Sequence, residues 1–320
     1  MDNVIISPDS RIHIKTSGCC NNNCIFCCDR DCINGQNMLS KYYCSVNGEP
    51  FLNLDMFKRD GRKTKEVDSI SFTGGESTLN KGLLYFIRLS KKWGYKDICL
   101  QTNGRLLRYK NFCIELLDSG LNEINISLHG SNKKIHDALT RSSGAFEQTW
   151  QGLCNMVSLK EKYRFRLNVN FTMTKINYRD IENFLRKILP FNKVDSIVLN
   201  MPMYSGNAER FFSQLFVTYL DVAKEVRNVI DRLKVDKLFR LSGVIQISPV
   251  PLCLMVGYEN YVGESEIPLQ VKNKRVEILP RESRNIKNKS CKPCKYYYKC
   301  SGIDNLYAEK VGWGEFRAIK

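Results

Sequence analysis

Histidine is scarce in this chain: His13, His129 and His136 are the only three among 320 residues. No HExxH helix and no histidine-rich zinc site can be assembled from them. Long apolar runs are missing as well, and none approaches the roughly 18 residues of a membrane span. No membrane segment is therefore expected. Met1 to Ile14 mixes charge with polarity and lacks the apolar core of a secretory signal, which makes a cytoplasmic location the expectation. Internal repeats and low-complexity tracts are absent, so neither a solenoid nor a compositionally biased array is indicated.

Cysteine, by contrast, is abundant, with 14 residues. Without a secretion signal a disulfide framework is the weaker reading, and clustered thiols point to metal. Hydrophobic residues make up 43% of the chain, enough for a sizeable core. The length suits one large domain, or one with a small appendix. The formal charge is +16, and much of it lies late: Lys272 to Lys320 holds 13 Lys and Arg against 5 Asp and Glu. Such a face suits nucleic acid, an acidic peptide or an anionic protein partner. The plain alternative is a solvated basic surface, partly offset by thiolate-bound clusters. No RNA-binding module is recognisable.

The central two-thirds alternates β-type runs with helical patterns. Strands are expected at Arg11–Lys15, Ser69–Phe72, Asp97–Leu100, Glu123–Leu128, Phe165–Thr172 and Ser196–Leu199. Helices are expected around Leu83–Leu89, Phe146–Lys160 and Tyr178–Ile188. Phe212, Leu215, Phe216, Tyr219, Val222, Val226, Val229 and Leu233 recur at helical spacing and predict one long amphipathic helix. Alternation of this kind gives a parallel α/β sheet or barrel. Six units are too few for a closed eightfold barrel, so a partial (β/α)6 barrel over residues 1–240 is expected. After about Pro249 the periodicity gives way to prolines, charges and cysteines, and residues 241–320 read as a small C-terminal domain.

Cys20, Cys24 and Cys27 form CxxxCxxC directly after the first strand, and no other trio in that segment gives the spacing. Three thiolates on one loop suit a four-iron cube and leave one iron open for a second molecule. A structural zinc would need a fourth ligand. Cys19, Cys28 or Cys32 is near enough to supply it, so spacing alone leaves zinc open.

The trio, with Phe26 just before its third cysteine, resembles the radical S-adenosylmethionine (SAM) superfamily. Membership implies that the open iron chelates SAM. It also implies that an electron from the [4Fe–4S] cluster splits the sulfonium bond and that a 5′-deoxyadenosyl radical takes hydrogen from a substrate. Thr73-Gly74-Gly75-Glu76 closes the second strand and resembles the family's GGE motif, which contacts the SAM amino group. The two glycines permit close backbone approach, and a carboxylate pairs with an ammonium. Ser77 stands where the family often has proline. By the same resemblance Ser127, at the end of the fourth strand, would contact the SAM ribose or carboxylate, and Arg141 would pair with the carboxylate. The plain alternative for both is a cap or a surface charge. Asn103, also at a strand end, is a candidate cofactor contact or a plain turn residue.

Cys253 together with Cys291, Cys294 and Cys300 gives four thiolates, a complete set for zinc or for a second, auxiliary [4Fe–4S] cluster. The run resembles the C-terminal motif of the SPASM and twitch subgroups, with fewer cysteines than full SPASM. Cys99 and Cys154 read as small core residues. Gly144-Ala145-Phe146-Glu147-Gln148-Thr149 with Gly152, and Pro251-Leu252-Cys253-Leu254, resemble in part the maturases of the His-Xaa-Ser peptide system. That resemblance implies a peptide or protein substrate, a flavodoxin- or ferredoxin-type electron donor and a possible partner maturase. The alternatives are small-molecule or cofactor biosynthesis, as in the molybdopterin-related branch, and RNA modification. A non-catalytic iron–sulfur or zinc partner protein is a reading of another class, and the intact trio with Glu76 argues against it.

Overall fold

The computed structural model describes residues 5–6, 11–28, 43–46, 49–52, 68–236, 244–263, 269–272, 275–278 and 285–320. Cys32 and the expected domain boundary at residue 240 lie outside them. Seven parallel strands form the centre: β1 (Arg11–Ser17), β2 (Ser69–Gly74), β3 (Asp97–Thr102), β4 (Glu123–Ser127), β5 (Arg166–Thr172), β6 (Ser196–Asn200) and β7 (Ile245–Ser248). They pair in chain order, each parallel to the next. Beyond β1 the sheet continues antiparallel through Ile5–Ile6, Leu269–Lys272 and Arg275–Ile278, while β7 ends it on the other side. The parallel run is thus an open, partial barrel. A six-unit layout stops at β6; the seventh strand is a four-residue run too short to stand out by period alone.

Six longer helices fill the crossovers and a seventh follows: α1 (Leu83–Lys92), α2 (Lys110–Asp118), α3 (Lys133–Thr140), α4 (Ala145–Leu159), α5 (Ile181–Ile188), α6 (Tyr219–Val235) and α7 (Asn305–Val311). The long helix anticipated from Phe212 is broken. Short helices at Asn207–Arg210 and Phe212–Leu215 precede α6, because Phe216 turns extended and Thr218 caps the new helix by accepting from Asp221 N at 3.0 Å.

Parallel strands are usually apolar on both faces, but these alternate. Ile70, Phe72, Ile98, Leu100, Ile124, Ile126, Leu167, Val169, Phe171, Ile197 and Leu199 are all buried on the helix-covered face; Phe171 meets Phe184 of α5 with ring centres 4.5 Å apart. Most of the residues between them are polar (Ser71, Asn125, Asn168 and Asn170, with Cys99 and Val198 the exceptions) and form the concave face. At its floor Arg11 grips Glu123 through two bonds of 3.0 and 2.8 Å, and Arg166 bridges Glu123 and Asp97 at 2.6 and 2.7 Å. Burial pushes the Glu123 carboxyl up, but the two guanidinium groups outweigh it and hold it below the ordinary range. Asn168 donates to Asn125 at 2.7 Å just above. Ion pairs and amides close this end, leaving the C-terminal ends of the strands as the mouth.

The end of the chain packs on the same core. Ile303 and Tyr307 belong to the main apolar cluster, and Tyr307 packs edge-on against Tyr219 of α6 at 4.7 Å. No helix among the described residues is long and apolar enough to cross a membrane.

Candidate active site

The loop from Gly18 to Cys28 leaves the end of β1 and crosses the mouth. It is tied to β2, β3 and α3. Glu76 N donates to Cys19 O at 2.7 Å and Gly75 N to Ser17 O at 2.8 Å. The Arg105 guanidinium donates to Asn21 O and, at 3.0 Å, to Asn22 Oδ1, while Asn103 Nδ2 donates to Asn21 Oδ1 at 2.6 Å. Asn23 N and Ile25 N donate to the last carbonyls of α3, Thr140 O and Leu139 O, both at 2.9 Å. Cys20, Cys24 and Cys27 are each half-buried on this loop. Two N–H groups reach toward Cys20 Sγ, from Asn22 N at 3.4 Å and Asn103 Nδ2 at 3.8 Å. Donors aimed at sulfur stabilise a thiolate and raise the potential of any cluster it holds. Thiol donors with amide support fit an iron–sulfur group.

Gly75 is required by the loop itself. A Cβ there would overlap the Cys19 carbonyl, which is backbone and cannot swing aside. Gly74 has φ of +112°, and its Cβ would press on Ser17 O at 2.9 Å. The Glu76 side chain, read from sequence as an ammonium partner, points into the protein and is 1% exposed. Its Oε1 accepts from Thr78 N (3.0 Å), Thr78 Oγ1 (2.5 Å) and Thr102 Oγ1 (2.6 Å), and its Oε2 from Asn103 N (2.7 Å). It therefore staples the ends of β2 and β3 together.

Ser127 ends β4 half-buried, in register with Asn170 of β5. Arg141 is the left-handed cap of α3, with φ of 52°, and its guanidinium lies 5.3 Å from the Phe211 ring centre. Phe26 meets His129 edge-on at 4.6 Å. His129 Nδ1 accepts from Thr172 N at 3.0 Å, and His136 Nδ1 accepts from His129 N at 3.1 Å. Burial holds both imidazoles below their ordinary range, His136 at about 4.

Sequence reading missed Arg105, Ser205 and Asn207. Asn207 N donates to Cys27 O and Asn207 Nδ2 to Cys24 O, both at 2.9 Å, and Ser205 Oγ donates to Cys28 O at 3.2 Å. The only local signal was the turn composition of Ser205-Gly206-Asn207 at a strand end.

The C-terminal quartet comes together around one cavity. Cys253, Cys291, Cys294 and Cys300 line it beside Lys287 and Arg317. Ile319 N donates to Cys294 Sγ at 3.4 Å and Gly302 N to Cys300 Sγ at 3.5 Å. Burial, reinforced by the other three thiols, pushes the Cys253 thiol up to about 11. Cys99 is fully buried and its thiol is pushed to about 12 by that burial, whereas Cys154 is half-buried. No three or more His, Cys, Asp or Glu among the described residues converge as ligands of a single metal ion do.

The sequence profile of the Radical SAM superfamily matches residues 14–188. Curated relatives named "Probable GTP 3',8-cyclase", from Saccharolobus islandicus strain Y.N.15.51 and Saccharolobus solfataricus strain P2, are each 27% identical over 260 residues. The matches cover 77% of this chain and 80% of theirs. The solved structure "Native anSMEcpe with bound AdoMet" superimposes with a TM-score of 0.51 at 19% identity, over 73% of this chain and 63% of that one. This chain thus spans less than two thirds of that protein, and the likeness shows the fold. Because the profile match takes in more than half of its length, the chain belongs to the Radical SAM superfamily.

Proposed function

We propose that this radical SAM enzyme acts on a small molecule in cofactor biosynthesis, and that the substrate is a purine nucleotide of the GTP class. The observation that carries the reading is the similarity to proteins named GTP 3',8-cyclase along 80% of their length. Those names fit cofactor chemistry better than a peptide substrate, so the peptide-maturase expectation is set aside. The concave face gives physical support. At the mouth, Ser127, Asn170 and Asn200 stand half-buried on neighbouring strands, and neutral amides and hydroxyls suit the alternating donors and acceptors of a purine edge.

When bound, a [4Fe–4S] cluster and SAM supply a 5′-deoxyadenosyl radical that removes hydrogen from the substrate. Cys20, Cys24 and Cys27 would hold that cluster. Asn22 and Asn103 steady the Cys20 sulfur, and Glu76 fixes the strand ends beneath. Cys253, Cys291, Cys294 and Cys300 would hold a second [4Fe–4S] cluster. With four protein ligands it would have no open iron, so its role would be electron transfer or tuning of potential.

The test is anaerobic incubation of iron-loaded protein with SAM, dithionite and GTP, with ATP as comparison, followed by mass spectrometry. GTP-dependent 5′-deoxyadenosine with a new guanine-containing product is expected. 5′-Deoxyadenosine formed without any change to GTP would remove the nucleotide reading while leaving the radical chemistry in place.

A further inference from the structure

The parallel sheet is open: β1 and β7 do not pair with each other, and the cysteine loop begins at one side of the gap. The residues following β6, near the other side, reach across to it. Three hydrogen bonds span 177 or more residues of sequence: Ser205 Oγ to Cys28 O, Asn207 N to Cys27 O and Asn207 Nδ2 to Cys24 O. All three acceptors are main-chain carbonyls of the loop's second half, two of them belonging to cluster-binding cysteines.

Gly206, between the donors, shows how close the approach is. It has φ of +56° and ψ of −124°, a backbone state that L residues avoid. A Cβ there would lie 2.8 Å from Cys28 O and 2.9 Å from Cys27 O. Asn207 is 4% exposed. The segment is itself anchored, since Tyr204 N donates to the Asp304 carboxylate at 3.4 Å and the Tyr204 ring packs 4.7 Å from Phe212.

We infer that Ser205-Gly206-Asn207 is a latch across the mouth of the open barrel, with Asn207 a positioning residue that fixes the peptides carrying Cys24 and Cys27. Orienting those two peptides sets where their Cβ atoms, and hence their thiols, point. The latch acts on the ligand frame, not on SAM or substrate.

Two substitutions separate donation from packing. Asn207→Ala removes the side-chain bond to Cys24 O. Asn207→Asp keeps the volume but puts an acceptor oxygen where the donor was. Both variants would be loaded with iron and sulfide and checked for fold by circular dichroism. The cluster would then be followed by the electron paramagnetic resonance spectrum of the reduced state, by its midpoint potential, and by the rate of iron release to a chelator. Release about fivefold to tenfold faster is expected in both, as for loss of one buried hydrogen bond, with shifted g values. An Asn207→Asp protein matching the wild type in spectrum, potential and release rate would overturn the inference, because a packing role survives that change. If neither variant folds, Ser205→Ala, which removes the side-chain bond to Cys28 O, decides the matter. A smaller shift in the same direction supports the latch, and none refutes it.

Discussion

Glu76 shows how a motif residue is used by the fold before any ligand arrives. Four donors surround its carboxylate, from three residues on two strand ends. Glutamine would present one acceptor oxygen and one donating amide, so at least one buried N–H or O–H would face another donor. Leaving such a group unpaired costs about 1–3 kcal/mol. Glu76→Gln is expected to lower the unfolding free energy by about that much, as read from urea titration without SAM. Unchanged stability there would mean that the carboxylate serves the ligand alone. The motif itself was legible in the sequence, but the inward turn of its side chain was not. That direction depends on Thr102 and Asn103 arriving from a strand 26 residues away.

At the scale of elements, the strand–turn junctions do the placing. Gly75→Ala is expected to displace the cysteine loop from the end of β2, because the Cys19 carbonyl occupies the space an alanine methyl needs. The variant should keep its far-UV spectrum yet take up iron poorly at the loop; full iron occupancy would show that the loop yields instead. Period-two and helical patterns made β1 to β6, α1, α4 and α5 readable, since each buries an apolar stripe of its own. α2 and α3 were not singled out: they are short, and α3 owes its ends to Asn132 and the left-handed Arg141. The helical spacing from Phe212 onward misled, because Phe212 packs on Tyr204 from a separate short helix and Phe216, just beyond its end, packs on Tyr307. CxxxCxxC was plain in the sequence because its three cysteines lie close together in the chain. Asn207 was not, because topology alone brings it to the loop.

For the whole molecule, the response to acid follows from its buried charges. His129 and His136 stack 5.9 Å apart and are held neutral by burial. For His136, nearby Asp137 and Glu147 favour the charged form and Arg105 opposes it, but burial dominates. The folded state thus binds fewer protons than the unfolded chain below the unfolded value of about 6.5. Stability is full above that value and is lost as pH falls below it, for His136 down to about 4, at up to roughly 1.4 kcal/mol per pH unit for each histidine. Glu123 carries the same sign but enters only below about pH 4.3, where its unfolded form protonates. Unfolding midpoints between pH 7.5 and 5 should therefore fall, and His136→Leu should flatten that slope. An unchanged slope would assign it to other groups. The long reach of the latch bears on how the protein is made. Cys28 and Ser205 are 177 residues apart, and at roughly 5–20 residues per second the ribosome needs on the order of ten seconds or more to join them. During synthesis the three cysteines emerge well before Ser205 and Asn207, as a thiol-rich segment with none of its distal holders. The thiol loop thus acquires its distal holders only once Ser205 and Asn207 have been made, and cluster insertion is expected to follow that stage rather than precede it.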